Sequence, residues 1–202
     1  MDDQSGDVPE QHQYQNLALS SVPADYYGRP RLFVLLWQIV QATVFACTPQ
    51  PAYAWRRWLL RRFGAKVGRG VLVRQTVRIT YPWNVTLGDY CWIGDHVELY
   101  SHGPITIGQS AVISQRSYLC TSTHNHADIA FPIIRRSIVV EPEAWVAADS
   151  FIAPGVRIGR GSIVAARSTV LRSVAAGTIV SGNPAKFAAI RRPSSQSVGV
   201  RA

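Results

Sequence analysis

Between Val140 and Val174 the chain places a large aliphatic residue at every sixth position. Val140, Val146, Ile152, Ile158, Val164 and Val170 keep this spacing, and Ala144, Ser150, Val156, Ser162, Ser168 and Val174 follow each by four. An α-helix would scatter residues six apart over different faces, and a half-buried strand would alternate with period two. A period of six suits a chain that turns a corner every six residues. One aliphatic side chain then points inward per side, and a small residue occupies each corner. Three sides close one coil of a triangular prism. Stacked coils pair their backbones above and below, around one continuous aliphatic column.

The same register runs upstream through Val67, Val73 and Ile79, with Val71 and Val77 at the small position. It continues through Leu87, Ile93, Leu99, Ile107, Ile113 and Leu119, followed by Cys91, Val97, Ala111, Ser117 and Thr123. The period breaks after Ile79, after Leu99 and, over the longest stretch, from Asn125 to Ser137, so loops are expected to leave the prism there.

Ahead of the repeats, Leu32 to Cys47 is apolar apart from Gln38, Gln41 and Thr43. This predicts a helix, stopped by Pro49 and Pro51 and shorter than the roughly 20 residues that span a bilayer. Trp55 to Phe63 predicts a second helix, with Trp55, Trp58, Leu59 and Phe63 on one face, arginines on the rest and Gly64 as its stop. Such a helix either caps the open core or lies, through residues 55–63, on an anionic membrane. The chain thus divides into a flexible leader (1–24), a helical segment (25–64), the prism (65–190) and a disordered tail (191–202).

With 47% hydrophobic and 16% charged residues, the 202-residue chain can bury a substantial core. Its net charge of +9 predicts an anionic partner. The basic residues read as spread over the chain, without a zinc-finger, helix-turn-helix or aromatic RNA-binding signature, so nucleic acid is not expected. Cys47, Cys91 and Cys120 form no close pair, which predicts reduced thiols and a cytoplasmic location, with the inner face of the membrane within reach of the basic helix. His124, His126 and Asp128 form the one cluster of metal-ligand types, which loop chemistry already explains, so no metal is expected.

This pattern of hexapeptides resembles the hexapeptide-repeat acetyltransferases, which implies an all-β solenoid, a left-handed parallel β-helix, with an N-terminal α-helical cap. The closing run Gly177-Thr-Ile-Val-Ser-Gly-Asn-Pro-Ala-Lys186 resembles that of the family's O-acetyltransferases, and implies a short C-terminal helix after it. Trp92-Ile-Gly94-Asp, the Tyr-Leu-Cys-Thr lead-in and the Trp-Arg-Arg-Trp segment resemble the colanic-acid and exopolysaccharide branch.

Several roles are implied by this resemblance. Cys120-Thr-Ser-Thr-His124 matches the segment whose histidine is the general base, a task that imidazole suits near neutral pH. Acetyl-CoA is the implied donor and co-substrate. Ala148 and Ala166, eighteen residues apart, would offer backbone to its pantetheine arm, while Leu171, Arg172 and Lys186, with Arg191 as a weaker addition, would face its nucleotide. His102, Asp95, Asp128 and His126 are candidate acceptor contacts. The galactoside and maltose enzymes carry a helper asparagine where this chain has Gly94, so Asp95, Glu98 or Asp128 is left to orient His124. A homotrimer with sites between prisms is implied, acting on a sugar or saccharide hydroxyl. The alternatives are a serine or amino-sugar N-acyltransferase on the same fold, or a non-catalytic scaffold at a membrane.

Overall fold

The computed structural model describes residues 13–23 and 25–192. The repeats form a parallel solenoid with three faces. The first face stacks Lys66–Val67, Val85–Leu87, Ile105–Ile107, Ile138–Val140 and Arg157–Ile158. The second stacks Leu72–Val73, Trp92–Ile93, Val112–Ile113, Trp145–Val146, Ile163–Val164 and Thr178–Gly182. The third stacks Arg78–Ile79, Glu98–Tyr100, Tyr118–Cys120, Phe151–Ile152 and Thr169–Val170. Inward residues meet their counterparts coil above coil, as Leu87 meets Ile107 and Val140 meets Ile158. The column that results is fully dry: Ile107, Ile113, Leu119, Val140, Val146 and Ile152 are completely buried. Truncating one of them to alanine removes both transfer energy and packing, at about 2–5 kcal/mol.

Corners set a second constraint. Where the first face turns into the second, Gly88, Gly108 and Gly159 sit directly under the next coil. A Cβ on Gly108 would stand 2.5 Å from the Pro142 nitrogen, and one on Gly159 would stand 2.4 Å from that of Ala176. Only hydrogen fits there, because the coil spacing is that of a β-ladder.

A solenoid leaves unpaired backbone at each end, and here the N-terminal end is closed by side chains. Helix α1 (Arg31–Val40) runs on through the π-helical turn Gln41–Phe45, and α2 (Tyr53–Arg62) follows. Trp37 Nε1 donates to the Ile79 carbonyl at 2.8 Å, and Gln41 Oε1 accepts the Ile79 N–H at 2.7 Å. From α2, Arg56 donates to the Val73 carbonyl at 2.6 Å, Arg57 to that of Val71 at 3.0 Å, and Arg61 to those of Val67 and Gly68 at 2.7 and 2.9 Å. Edge carbonyls that would template another strand are thereby occupied.

This corrects the helical face expected from sequence. Leu59 and Phe63 are buried as expected, but Arg56 is completely buried, whereas Trp55 and Trp58 are exposed and stack on each other at 4.9 Å. Arg56 also reaches Thr48 Oγ1 and the carbonyls of Pro49 and Gln50 at 2.7, 3.0 and 2.5 Å. Burial lowers its pKa. The physical reason is acceptor supply: a guanidinium with five donors fits an edge of carbonyls, which an indole with one donor cannot serve.

The C-terminal end differs from expectation as well. Among the described residues no helix follows the last coil; Ala185–Ile190 folds back as a strand antiparallel to Thr178–Gly182, with Lys186 opposite Ser181. A strand satisfies the open edge of the second face, which a helix would leave unpaired. Of the expected tail, Arg191 donates to the carbonyls of Glu143 and Gly161 at 3.0 and 2.9 Å. Residues 193–202 lie outside the described residues, as do 1–12 of the expected leader. Residues 13–23 lie within them, and the Asn16 N–H donates to the Ile129 carbonyl at 2.7 Å.

Candidate active site

Every irregular loop leaves the prism at one corner, where the third face turns into the first: residues 80–84, 101–104 and 121–137. The longest is a hairpin. Ser122–His124 pairs antiparallel with Ile133–Arg135, setting His124 opposite Ile133 and Ser122 opposite Arg135. Thr121 anchors its foot, its carbonyl accepting the Arg136 N–H at 2.8 Å and its hydroxyl bonding the Tyr100 carbonyl at 2.6 Å. At the tip, Asp128 Oδ1 accepts the Ala130 N–H at 2.9 Å, turning the chain so that Phe131 comes back over His124 with a left-handed φ of 48°.

The His124 ring stacks on that of Phe131, with centroids 4.4 Å apart and planes 7° from parallel. Its Nδ1 lies 2.8 Å from the Phe131 carbonyl oxygen. A carbonyl only accepts, so Nδ1 carries the proton and Nε2 keeps its lone pair. A backbone oxygen therefore orients the imidazole, and within the same chain none of the expected carboxylates bonds it. Asp128 is engaged with its own loop, Glu98 stands on the third face, and Asp95 is on another corner, bonded to Thr76 Oγ1 at 2.9 Å and Arg74 at 3.3 Å. His126 is exposed on the same loop.

A cleft of about 420 Å³ opens at the foot of the hairpin, lined by Asp25, Tyr26, Asn84, His102, Gly103 and Arg135. Arg135 and His124, two residues apart in register, share one face of the hairpin, roughly 7 Å apart along the strands. Arg135 is held by Asp25 Oδ2 at 2.8 Å. His102 is only 6% exposed, packed by Tyr100, Tyr26 and Tyr81 at 4.3, 4.9 and 5.0 Å. Burial, and secondarily the Arg135 charge, push its pKa down to about 4, so it is neutral at pH 7, and its Nδ1 has no hydrogen-bond partner among the described residues.

The donor residues expected from sequence lie elsewhere. Ala148 and Ala166 do stack one coil apart, because their strands pair Trp145 with Ile163 and Val146 with Val164. They form, with Ser114, Gln115 and Trp145, a groove of about 460 Å³ where the second face turns into the third. Trp145 Nε1 donates to Ser114 Oγ at 2.9 Å, fixing the indole as one wall. Leu171 and Arg172 sit on the His124 corner, and Lys186 on the last strand; both basic side chains are exposed. Within one chain the groove and His124 are separated by the third face, six residues or roughly 20 Å wide. The structure thus does not bring the expected site residues together in a single prism.

Sequence reasoning missed Phe131, whose role is carried by its backbone, and Arg135, Asn84 and Tyr26, which belong to stretches without a repeat. Trp145 had a signal, a large aromatic at an outward position of its hexapeptide.

No family model matches the chain. Over 171 residues it is 53% identical to the protein of Escherichia coli K12 named "Putative colanic acid biosynthesis acetyltransferase WcaF", covering 85% of this chain and 94% of that one. Among solved structures, a maltose O-acetyltransferase from Clostridium difficile superposes with a TM-score of 0.73 at 21% identity, covering 83% of this chain and 92% of its own. The hexapeptide-repeat acetyltransferase VCA0836 of Vibrio cholerae, solved with acetyl-CoA, gives 0.70 at 24% identity over 81% and 87%. The stacked hexapeptides, the capped parallel prism and this degree of identity place the chain in the family of hexapeptide-repeat, left-handed β-helix acetyltransferases, alongside the colanic acid acetyltransferase relative.

Proposed function

We propose that this protein transfers the acetyl group of acetyl-CoA to a hydroxyl of a saccharide destined for an exopolysaccharide or another cell-surface glycan, with His124 as the general base. One observation carries the reading: the Phe131 carbonyl holds Nδ1–H at 2.8 Å and leaves Nε2 as the base. Nε2 takes the proton of the acceptor hydroxyl as its oxygen attacks the thioester carbonyl. The tetrahedral adduct collapses, its C–S bond breaks, and the imidazolium returns the proton to the departing thiolate. An acetyl ester and free CoA result, with no protein nucleophile.

The cleft at the foot of the His124 hairpin suits a sugar. Asn84, the neutral His102 and the Arg135–Asp25 pair offer donors and acceptors, and Tyr26 offers a ring face. Ala148 and Ala166 present small side chains along their groove, so a pantetheine arm can approach the backbone, and Arg172 and Lys186 supply charge for phosphates. Since groove and base stand on different corners of one chain, a neighbouring prism is needed to bring a second His124 to the groove. A homotrimer meets that need.

The test is calorimetric titration of CoA into the purified protein, followed by turnover with a panel of saccharide, serine and amino-sugar acceptors. Arg172→Ala and Lys186→Ala are expected to weaken CoA binding roughly tenfold each, and His124→Ala to leave it within twofold while lowering turnover by about 10²–10⁴. Tight CoA binding with turnover only on an amine would replace the O-acyl reading, and a folded protein that binds no CoA would overturn the transferase reading altogether.

A further inference from the structure

The end cap carries a surface that the transferase reading does not use. Helix α1 buries Val34 and Trp37 and turns Leu32, Leu35, Leu36 and Ile39 outward, with Leu32 77% exposed. These positions, spaced i, i+3, i+4 and i+7, form one stripe. The π-helical turn Gln41–Phe45 inserts an extra residue, so Val44 prolongs the stripe five positions after Ile39. Trp55 donates to the Val44 carbonyl at 3.0 Å, which sets the exposed, stacked Trp55–Trp58 pair at the stripe's end.

The stretch of sequence that carries this stripe holds charge of one sign. Residues 26–88 hold ten Arg or Lys and no Asp or Glu, leaving the rest of the chain with eleven basic against twelve acidic residues. The basic excess is therefore not spread over the chain but concentrated in the cap and the first coil, where Arg69 and Arg74 pair with Asp89 and Asp95 of the next coil. Arg56, Arg57 and Arg61 are occupied with edge carbonyls, whereas Arg29, Arg31, Arg62 and Lys66 are exposed. Arg29 and Arg31 flank the N-terminus of α1, which has no acidic residue in its first turn and no side-chain cap. Two cations at the positive end of a helix are unfavourable in isolation, and an external anion would relieve them. Among the described residues no helix is long and apolar enough to cross a membrane, so the stripe fits a surface and not a span.

We propose that this end of the prism docks on an anionic lipid bilayer, with the α1 stripe and the tryptophan pair among the headgroups and the exposed arginines against lipid phosphate. Aliphatic side chains in a basic field match a charged interface with an apolar interior. The surface lies on α1 and not on residues 55–63 alone.

Co-sedimentation of the full chain with vesicles tests this. Binding to phosphatidylcholine vesicles containing one third phosphatidylglycerol is expected, weakening at least tenfold without phosphatidylglycerol or in high salt. The variant Leu32→Ser, Leu35→Ser, Leu36→Ser, Ile39→Ser should lose most of that binding while keeping its melting temperature, its oligomeric state and its affinity for CoA. Wild-type protein that stays in the supernatant, or a variant that sediments as well as wild type, overturns the proposal. A variant that falls to a smaller oligomer overturns it in favour of a contact between copies of the chain. CoA binding is read separately, so failure here leaves the transferase reading standing or falling on its own.

Discussion

The Nδ1 of His124 and the carbonyl oxygen of Phe131 lie 2.8 Å apart, and the same two residues stack their rings. The backbone supplies the orientation and the side chain supplies the lid. His124→Ala is expected to lower turnover by about 10²–10⁴, the usual worth of a positioned base. Phe131→Ala keeps the carbonyl but loosens the ring, so turnover should fall roughly three- to tenfold with little change in KM for CoA. Asp128→Asn should cost less than Phe131→Ala; a larger loss would return the orienting role to that carboxylate. Steady-state kinetics on the three variants decides the matter.

Restoring the helper asparagine of related enzymes should fail. A Cβ on Gly94 would stand 2.8 Å from the Gln115 nitrogen and 3.1 Å from the Ile113 carbonyl oxygen, both backbone atoms of the next coil. Gly94→Asn is therefore expected to destabilise by about 1–3 kcal/mol, as overpacking does, and not to raise activity. A thermal melt and a turnover assay on the same preparation check both halves.

His102 makes stability depend on pH. Its pKa in the folded chain is about 4, below the ordinary value of 6.5, so the unfolded state binds more protons between those limits. Stability contributed by keeping it neutral is complete above pH 6.5 and is lost as pH falls toward 4, by roughly 2–3 kcal/mol. His102→Phe should flatten the fall in melting temperature between pH 6.5 and 4. An unchanged slope would assign that window to other groups.

Arg56 is the most demanding residue of the cap. Its acceptors are Thr48 and the carbonyls of Pro49, Gln50 and Val73, so removing it orphans several buried polar atoms at once. Arg56→Ala is expected to cost about 3–5 kcal/mol. Arg56→Lys, which brings one nitrogen to a site shaped for three, should recover less than half, as denaturant titration would show.

What sequence could and could not reveal follows from where information is periodic. The column from Val67 to Val170 was readable because each coil repeats the same burial. The break in period marked the excursion that proves to be a hairpin, and the eighteen-residue spacing marked the stacking of Ala148 over Ala166, because both hang on that register. The α2 face departs from its apolar periodicity because an open sheet edge offers carbonyls that only a many-donor side chain such as that of Arg56 can satisfy. The C-terminal helix was misread for a related reason, since Ala185–Ile190 is decided by the edge it must cover. Phe131 was invisible because a carbonyl belongs to every residue.

The backward turn of Ala185–Ile190 bears on how long such a molecule can become. Each coil of a parallel solenoid is a template for the next, so an uncovered end could accept the first coil of another chain and grow into a filament. On the second face a closing strand that runs the opposite way presents the wrong polarity for that addition, and at the other end the carbonyls of Val67, Gly68, Val71, Val73 and Ile79 are already bonded by side chains of the cap. The repeat thus carries its own termination at both ends, which lets a sequence prone to indefinite stacking remain a particle of fixed size.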